Sequence, residues 1–415
     1  MHSSSIRFLL LAFLGAALVD EAVGGKSFNL KPFTVDLCDS VPRMLKQIQN
    51  TALPSSPEYA GVGSSFGIDL GVLKNLQSEW LTDFDWQKEQ YSLNQLNHYT
   101  AEIEGLTIHF IHERSKDPNA IPLILNHGWP GSFLEFLPVL DQLTQKASTS
   151  AGKTVSFDVI IPSLPGFTFS TAPPANWTYS DTARVFNTLM TEVLGYKTYA
   201  TSGTDLGAAI TYAMYDQFNT TARAGHFVFL PFFPLDFAQL AAANISLSPL
   251  ETIEEENFVQ WNTVGNGYFI EHTTKPNTIG LALYDSPIGQ LSWIAEKFIS
   301  WSDPRAGTPP SVLNQNEILL SVSLYYLTRS IVSGMYTYAQ NANGFATDYV
   351  KAQTDAPMIF SAFKYNIAFW PAEMVEKVGN LKLYSNHDFG GHFPGLDNPT
   401  ALLKDLREIA TYWVD

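Results

Sequence analysis

The pattern of apolar and polar positions changes near residue 105 of this 415-residue chain. Leu106–Glu113 alternates as a half-buried strand does, and Ile121–Asn126 is a short apolar run that ends in turn residues. Further apolar runs and stretches of helical spacing then follow one another: strands at Phe157–Ile161, Lys197–Thr201 and His226–Leu230, and helices at Phe133–Thr144, Thr178–Leu194 and Ala208–Gln217. Strands that alternate with helices predict a mostly parallel sheet.

Residues 235–350 break this rhythm, because their spacing is mostly helical. The strand–helix alternation resumes at Pro357–Phe363 and closes with a helix over Asn398–Trp413. Between them we expect a short helix at Pro371–Val378 and a strand at Leu381–Ser385. The chain therefore divides into a leader (1–25), an irregular arm (26–104), the first part of an α/β core (105–234), an inserted helical lid (235–350) and the second part of the core (351–415).

The leader has the composition of a secretory signal peptide. Arg7 precedes the 12-residue apolar run Phe8–Val19, and small residues allow cleavage near Gly24 or after Ala17. The run is shorter than the ~20 residues of a spanning helix. The pattern predicts secretion, with an uncleaved membrane anchor as the alternative. Three Asn-x-Ser/Thr tripeptides agree with this route as candidate glycosylation sites: Asn176, Asn219 and Asn244.

Composition excludes several classes of protein. The formal net charge is −16, and an acidic surface repels nucleic acid. The single cysteine, Cys38, rules out an internal disulfide framework and any multi-cysteine metal site. No metal cluster or dinucleotide fingerprint is evident, so we expect neither a metal nor a cofactor. Aromatic residues make up 13% of the chain, which suits either a large apolar pocket or a dense core.

The segment Gly203-Thr204-Asp205-Leu206-Gly207 has the form of a nucleophile elbow. It lies between a predicted strand and a predicted helix, and its glycines suit a central residue held in a strained backbone conformation. The central residue is aspartate, whose carboxylate can attack an alkyl carbon without a base to remove a proton. The ester so formed must then be hydrolysed by water. The structural alternative is that Asp205 merely caps the following helix.

Hydrolysis of such an ester needs a general base, and His392 is the candidate. It lies in a Gly-rich loop after the last predicted strand, with His387 as its rival. Glu373 follows a late strand at the position expected for an acid that orients this base. Asp388 and Asp355 are the competing acids, and Glu373 could instead only complement its helix dipole.

Two backbone donors are available for the oxyanion of that hydrolysis. The turn His127–Pro130 follows an early strand and offers the N–H of Trp129, and the elbow offers the N–H of Leu206. An ordinary strand-to-helix turn with a core tryptophan is the alternative interpretation of the first of these.

Taken together and in order, these motifs resemble the epoxide hydrolases of the α/β-hydrolase fold, in their microsomal-type branch. The resemblance runs from about residue 30 to the C-terminus. It is carried by Trp80 and Phe84–Trp86 in the arm, by Ile103–Phe110, by His127–Ser132, by the aspartate elbow and by Gly390–Phe393.

The resemblance implies an enzyme that converts a small hydrophobic epoxide and water to a vicinal diol, in a detoxification role. Asp205 would be the nucleophile, His392 the base and Glu373 its acid partner. Two lid tyrosines, Tyr268 and Tyr338, would hold and protonate the epoxide oxygen. Tyr336 is the nearest alternative to Tyr338. A homodimer formed through the arm is also implied.

The chain departs from this family at two points of the predicted site. Leu206 stands where tryptophan is common, and the segment after Tyr338 reads Ala-Gln where Lys-Glu is common. A haloalkane dehalogenase is the alternative enzyme, but its chemistry needs side-chain donors for a halide and Leu206 has none. A catalytically silent homologue that binds hydrophobic ligands is the alternative outside catalysis, and the absence of an elbow serine disfavours a carboxylesterase.

Overall fold

The computed structural model describes residues 27–414. The predicted leader, residues 1–25, lies outside them. Within the described chain the central sheet has nine strands, and β5 pairs with β6 in a separate two-stranded sheet. The strands are β1 Lys31–Pro32, β2 His98–Ile103, β3 Leu106–Glu113, β4 Ile121–Asn126, β5 Ala147–Ser148, β6 Thr154–Val155, β7 Phe157–Pro162, β8 Tyr199–Gly203, β9 Ala222–Phe227, β10 Pro357–Tyr365 and β11 Asn380–Gly391.

The sheet is mixed, with its antiparallel strands grouped at one side. Its order is β1-β2-β3-β7-β4-β8-β9-β10-β11, antiparallel from β1 to β7 and parallel from β7 to β11. The central strands are the most deeply covered: all five residues of β8 are buried, and all but one of the six in β4. Continuous apolar runs of this kind suit parallel strands covered on both sides.

Helices connect the strands and form the segment between β9 and β10. They are α1 Val41–Asn50, α2 Leu70–Thr82, α3 Trp86–Leu93, α4 Leu137–Thr144, α5 Tyr179–Thr188, α6 Asp205–Gln217, α7 Phe237–Ala242, α8 Pro249–Gln260, α9 Gly267–Thr274, α10 Pro276–Leu283, α11 Pro287–Ser300, α12 Gln315–Leu327, α13 Ile331–Gln340, α14 Ala372–Val378, α15 Pro394–Asp397, α16 Pro399–Arg407 and α17 Ile409–Tyr412. Helices α7 to α13 all fall between β9 and β10, where helical spacing replaces the strand pattern in the sequence.

Register brings the carboxyl ends of several strands to one edge of the sheet. Asn126 at the end of β4 pairs with Gly203 at the end of β8, and Gly203 pairs with Phe227 at the end of β9. Chemistry in open parallel sheets gathers at this edge, because the loops that follow the strands meet there. The loops after β4 and β8 therefore open side by side.

One helix begins earlier than its sequence pattern predicts. The spacing predicts a helix from Ala208, whereas α6 begins at Asp205. The elbow residues have no apolar periodicity, so the pattern begins only after them.

Among residues 27–414, no single helix is long and apolar enough to cross a membrane. Helices α12 and α13, bent by 87° at their junction, together have the length and apolar composition of a membrane span, by those two criteria alone.

Candidate active site

Asp205 stands at a sharp turn between β8 and α6. Its φ is +46°, a strained value for a residue other than glycine. The flanking glycines are required by space, because a Cβ on Gly203 would collide with the carbonyl oxygen of Gly207, and one on Gly207 would collide with that of Asn126. The turn raises the carboxylate over the edge of the sheet, where the residue is nevertheless buried.

The loop after β4 holds one oxygen of this carboxylate. The backbone N–H of Trp129 donates to Oδ1 of Asp205 at 2.8 Å. Gly128 leaves room for it, since a Cβ there would collide with that same oxygen. Leu206, the other predicted donor, is buried in the first turn of α6, where backbone N–H groups have no partner within the helix. The site thus holds one carboxylate oxygen and leaves the other for chemistry.

His392 faces that second oxygen. Its Nε2 lies 3.5 Å from Oδ2 of Asp205, and the residue is 2% exposed. The ring packs at steep angles against the aromatic rings of Trp301, Phe229 and Phe393, with centroids 5.1, 5.9 and 5.0 Å away. The nucleophile and base expected from the sequence are therefore brought together in an apolar enclosure.

The partner of His392 is an amide, not a carboxylate. Nδ1 of His392 lies 2.8 Å from Oδ1 of Asn366, the first residue after β10. The Asn366 oxygen also accepts from the N–H of Ile367 at 2.8 Å, and its Nδ2 donates to the carbonyl of Val228 at 3.1 Å. These two backbone contacts set the orientation of the amide, so the atom that faces Nδ1 is the oxygen.

The structure does not bring the predicted acid, Glu373, to the base. Glu373 lies in the first turn of α14 with its side chain exposed, whereas Asn366 occupies the place beside Nδ1 of His392. The competing acids do not take that place either: Asp388 is exposed, and Asp355 precedes β10 and pairs with Arg223. The sequence signal that could have identified Asn366 is its position directly after the strand, although spacing does not distinguish an amide from a carboxylate there.

The two lid tyrosines meet over the turn that holds Asp205. Tyr268 on α9 and Tyr338 on α13 have ring centroids 6.1 Å apart, at 88°. Tyr268 stacks on Trp129 at 5.1 Å, and Tyr338 meets the same ring edge-on at 6.0 Å. The rival Tyr336 is 37% exposed, whereas Tyr268 and Tyr338 are 4% and 3% exposed.

Both tyrosines carry neutral hydroxyl groups that can donate hydrogen bonds. Burial, and secondly the negative charge of Asp205, raise the pKa of the Tyr268 and Tyr338 hydroxyls well above the ordinary value. The hydroxyl of Tyr338 is buried and has no hydrogen-bond partner among residues 27–414. A buried donor without a partner is costly, and an oxygen acceptor bound beside Asp205 would relieve that cost.

Sequence reasoning missed a second carboxyl group beside the nucleophile. Glu135 is buried, and the hydroxyl of Thr204 donates to its Oε2 at 3.3 Å. Burial, with the charge of Asp205 adding to it, raises the pKa of Glu135 to about 8. At neutral pH this side chain is therefore a neutral acid, and the elbow carries one negative charge instead of two.

Three kinds of reactive group meet at this site. They are a held carboxylate, a histidine with its Nε2 directed at that carboxylate, and two neutral phenols. Within the described part of the chain, no group of three or more His, Cys, Asp or Glu side chains is arranged to hold a metal ion. The side chains present can perform nucleophilic attack, proton donation and activation of water.

Comparisons with known proteins agree with this chemistry. Residues 30–136 match the family model described as epoxide hydrolase N terminus, and residues 121–264 match the alpha/beta hydrolase fold. A putative epoxide hydrolase of Stigmatella aurantiaca is 38% identical over 346 residues, covering 83% of this chain and 76% of that protein. Epoxide hydrolase 1 of Oryctolagus cuniculus is 30% identical over 410 residues, covering 92% and 89%.

A solved structure agrees over nearly the whole chain. The Aspergillus niger epoxide hydrolase superimposes with a TM-score of 0.78 at 31% identity, covering 92% of this chain and 96% of that one. The mostly parallel sheet with its helical insertion is thus an α/β-hydrolase fold. The chain belongs to the epoxide hydrolases of that fold, and it is an enzyme that hydrolyses epoxides.

Proposed function

We propose that Asp205 opens the epoxide by attacking one of its ring carbons with Oδ2. This proposal rests on the different contacts of the two carboxylate oxygens of Asp205. Oδ1 accepts a hydrogen bond from the N–H of Trp129, whereas Oδ2 faces His392. Attack forms a carbon–oxygen bond to Asp205 and breaks the carbon–oxygen bond of the epoxide. The product is an ester between the enzyme and the opened substrate.

Tyr268 and Tyr338 donate to the epoxide oxygen in this step. The oxygen becomes an alkoxide as the ring opens, and a neutral phenol can protonate it without bringing a charge into the apolar site. Their neutrality follows from the raised pKa of both hydroxyls. The surrounding rings of Trp129, Trp301 and Phe269 favour a small hydrophobic epoxide as substrate.

His392 activates water for the second step. Nε2 takes a proton from water while the water oxygen bonds to the acyl carbon of Asp205. The N–H groups of Trp129 and Leu206 stabilise the oxyanion of the tetrahedral intermediate. Collapse breaks the acyl carbon–oxygen bond, and the departing oxygen, which is the one that attacked the substrate, takes the proton held by His392 as the diol leaves. The water oxygen stays in Asp205, and the remaining proton of the water restores the phenol that protonated the epoxide oxygen.

One turnover in ¹⁸O-water tests this sequence. With enzyme in excess over styrene oxide, we expect the label in the peptide that contains Asp205 and unlabelled diol. Asp205→Ala is the matched control, with neither diol nor labelled peptide. Label found only in the diol would exclude the ester and indicate direct attack of water.

We propose further that the protein is secreted and glycosylated. Support comes from the leader and from Asn176 and Asn244, which are both exposed in the structure, whereas Asn219 donates its amide to the carbonyl of Gln353. Expression in a secreting eukaryotic host should give glycosidase-sensitive mass that Asn176→Gln and Asn244→Gln remove. Retention in the membrane fraction would instead favour an uncleaved anchor.

Pairing of two copies through the arm, residues 26–104, is a separate proposal that rests on the resemblance to the family. Sedimentation velocity of the purified chain should give the mass of a dimer. A monomer at micromolar concentration would overturn this proposal without affecting the assignment of the active site.

A further inference from the structure

We infer that Asn366 is the positioning residue of the base, and that hydrolysis of the ester is consequently the slow half of the catalytic cycle. This inference rests on the proposed roles of Asp205 and His392. It begins from the contact of 2.8 Å between Oδ1 of Asn366 and Nδ1 of His392.

The amide fixes the tautomer of the histidine. An oxygen acceptor at Nδ1 places the ring proton there, and Nε2 is left with a lone pair directed toward Asp205. A reversed amide would favour the opposite tautomer, in which Nε2 cannot accept a proton. The N–H of Ile367 and the carbonyl of Val228 prevent that reversal, because each would then face a group of its own kind.

The amide does not balance the charge that the ring gains. When His392 takes the proton of water, its ring becomes positive among the rings of Trp301, Phe229 and Phe393. In the free enzyme the carboxylate of Asp205 lies 3.5 Å away and offsets such a charge. In the ester intermediate that carboxylate is esterified and neutral. The positive ring of His392 therefore has no negative charge beside it during ester hydrolysis, the step in which the ring becomes charged.

The two half-reactions therefore depend on Asn366 differently. Ring opening uses the carboxylate of Asp205 and the two phenols, and it requires no charge on His392. Ester hydrolysis requires a positive ring supported only by a neutral oxygen. Hydrogen bonds to charged partners contribute more than neutral ones, and the difference corresponds to about tenfold in rate.

The experiment separates the half-reactions with excess styrene oxide. Acid quenching followed by mass spectrometry of the intact protein measures the alkylated fraction, and chromatography measures diol. We expect most of the wild-type enzyme to be alkylated at steady state. Asn366→Asp should raise the rate of ester hydrolysis about tenfold and leave the rate of alkylation unchanged.

A matched control makes the same chemical change away from the site. Asn314 caps the N-terminus of α12 through its side-chain oxygen, a role that aspartate also fills, so Asn314→Asp should leave both rates unchanged. Asn366→Ala should slow ester hydrolysis and increase the alkylated fraction. A merely structural role for Asn366 would not change one half-reaction alone.

The outcomes that overturn the inference differ from those that overturn the proposed roles. Two results would overturn the inference but not the proposed roles. One is a wild-type enzyme that produces diol with only a minor alkylated fraction, and the other is an Asn366→Asp variant that hydrolyses the ester no faster than the wild type. Diol production that persists in Asp205→Ala overturns the proposed roles themselves. If Asn366→Asp does not fold, because aspartate loses the contact with Val228, the wild-type alkylated fraction and Asn366→Ala decide.

Discussion

Two histidines near the end of the sheet differ in what they contact. His387, within β11, has its Nε2 2.6 Å from a carboxylate oxygen of Asp405, and that carboxylate also accepts from the hydroxyls of Ser361 and Ser385. His392, just beyond the same strand, has an amide as its partner but faces the nucleophile. The histidine with the carboxylate partner is thus not the one at the reaction centre. The position of His392 beyond the end of β11, facing the nucleophile, identifies the base better than the type of side chain that contacts it.

The largest expected effect separates the two histidines directly. His392→Gln should reduce diol formation about a thousandfold and accumulate the alkylated enzyme, because it removes the general base but not the nucleophile. His387→Gln should keep turnover within about twofold of the wild type. Diol assays and intact mass measure both variants, and an adduct that accumulates in His387→Gln would reverse the assignment.

The tyrosines should act before the base does. Tyr268→Phe and Tyr338→Phe should each slow alkylation about thirtyfold, since each removes one donor to the epoxide oxygen. Rapid quenching of single turnovers measures that step. A variant that accumulated more ester than the wild type would show that the lost hydroxyl acts in hydrolysis instead.

Asp405 should affect stability more than catalysis. Burial alone would raise its pKa, but the hydrogen bond and charge of His387 more than offset this, so the pKa lies below its ordinary value. A lowered pKa contributes stability above the unfolded value of about 3.9 and loses it as the pH falls through the folded value. Asp405→Asn should therefore unfold about 2 kcal/mol more easily at pH 7 and lose less stability on acidification. Denaturant titrations at pH 7 and pH 3 test this, and equal losses would contradict it.

Glu135 should limit activity on the alkaline side. Its pKa of about 8 means that ionisation above that pH adds a second negative charge beside Asp205. We expect kcat/KM to fall several-fold between pH 8 and pH 9 in the wild type and to stay level in Glu135→Gln. If kcat/KM of Glu135→Gln still fell between pH 8 and pH 9, the fall would be due to another ionisable group.

Glu373 should have the smallest effect. Because its side chain is exposed and Asn366 occupies the place beside the base, Glu373→Gln should keep turnover and the alkylated fraction within about twofold of the wild type. A loss comparable with that of His392→Gln would restore the carboxylate as the partner of the base.

Short-range patterns in the sequence predicted much of the fold and the position of the elbow. Leu106–Glu113 and Ile121–Asn126 are strands with the predicted bounds, and the elbow stands where its glycines indicated. The partner of the base could not be found in this way. The position of Glu373 after a late strand points to a carboxylate. The choice of Asn366 instead depends on its contact with His392, 26 positions further along the chain in the loop after β11.

The close contact between Gly128 and the side chain of Asp205 limits which substitutions this enzyme can accept. The carboxylate fills the volume that any side chain at position 128 would need, and Gly203 and Gly207 are closed by backbone in the same way. Mutational drift at these three positions is therefore blocked. The lid helices α9 and α13 reach the same site through side chains instead, since Tyr268 and Tyr338 both pack on the ring of Trp129.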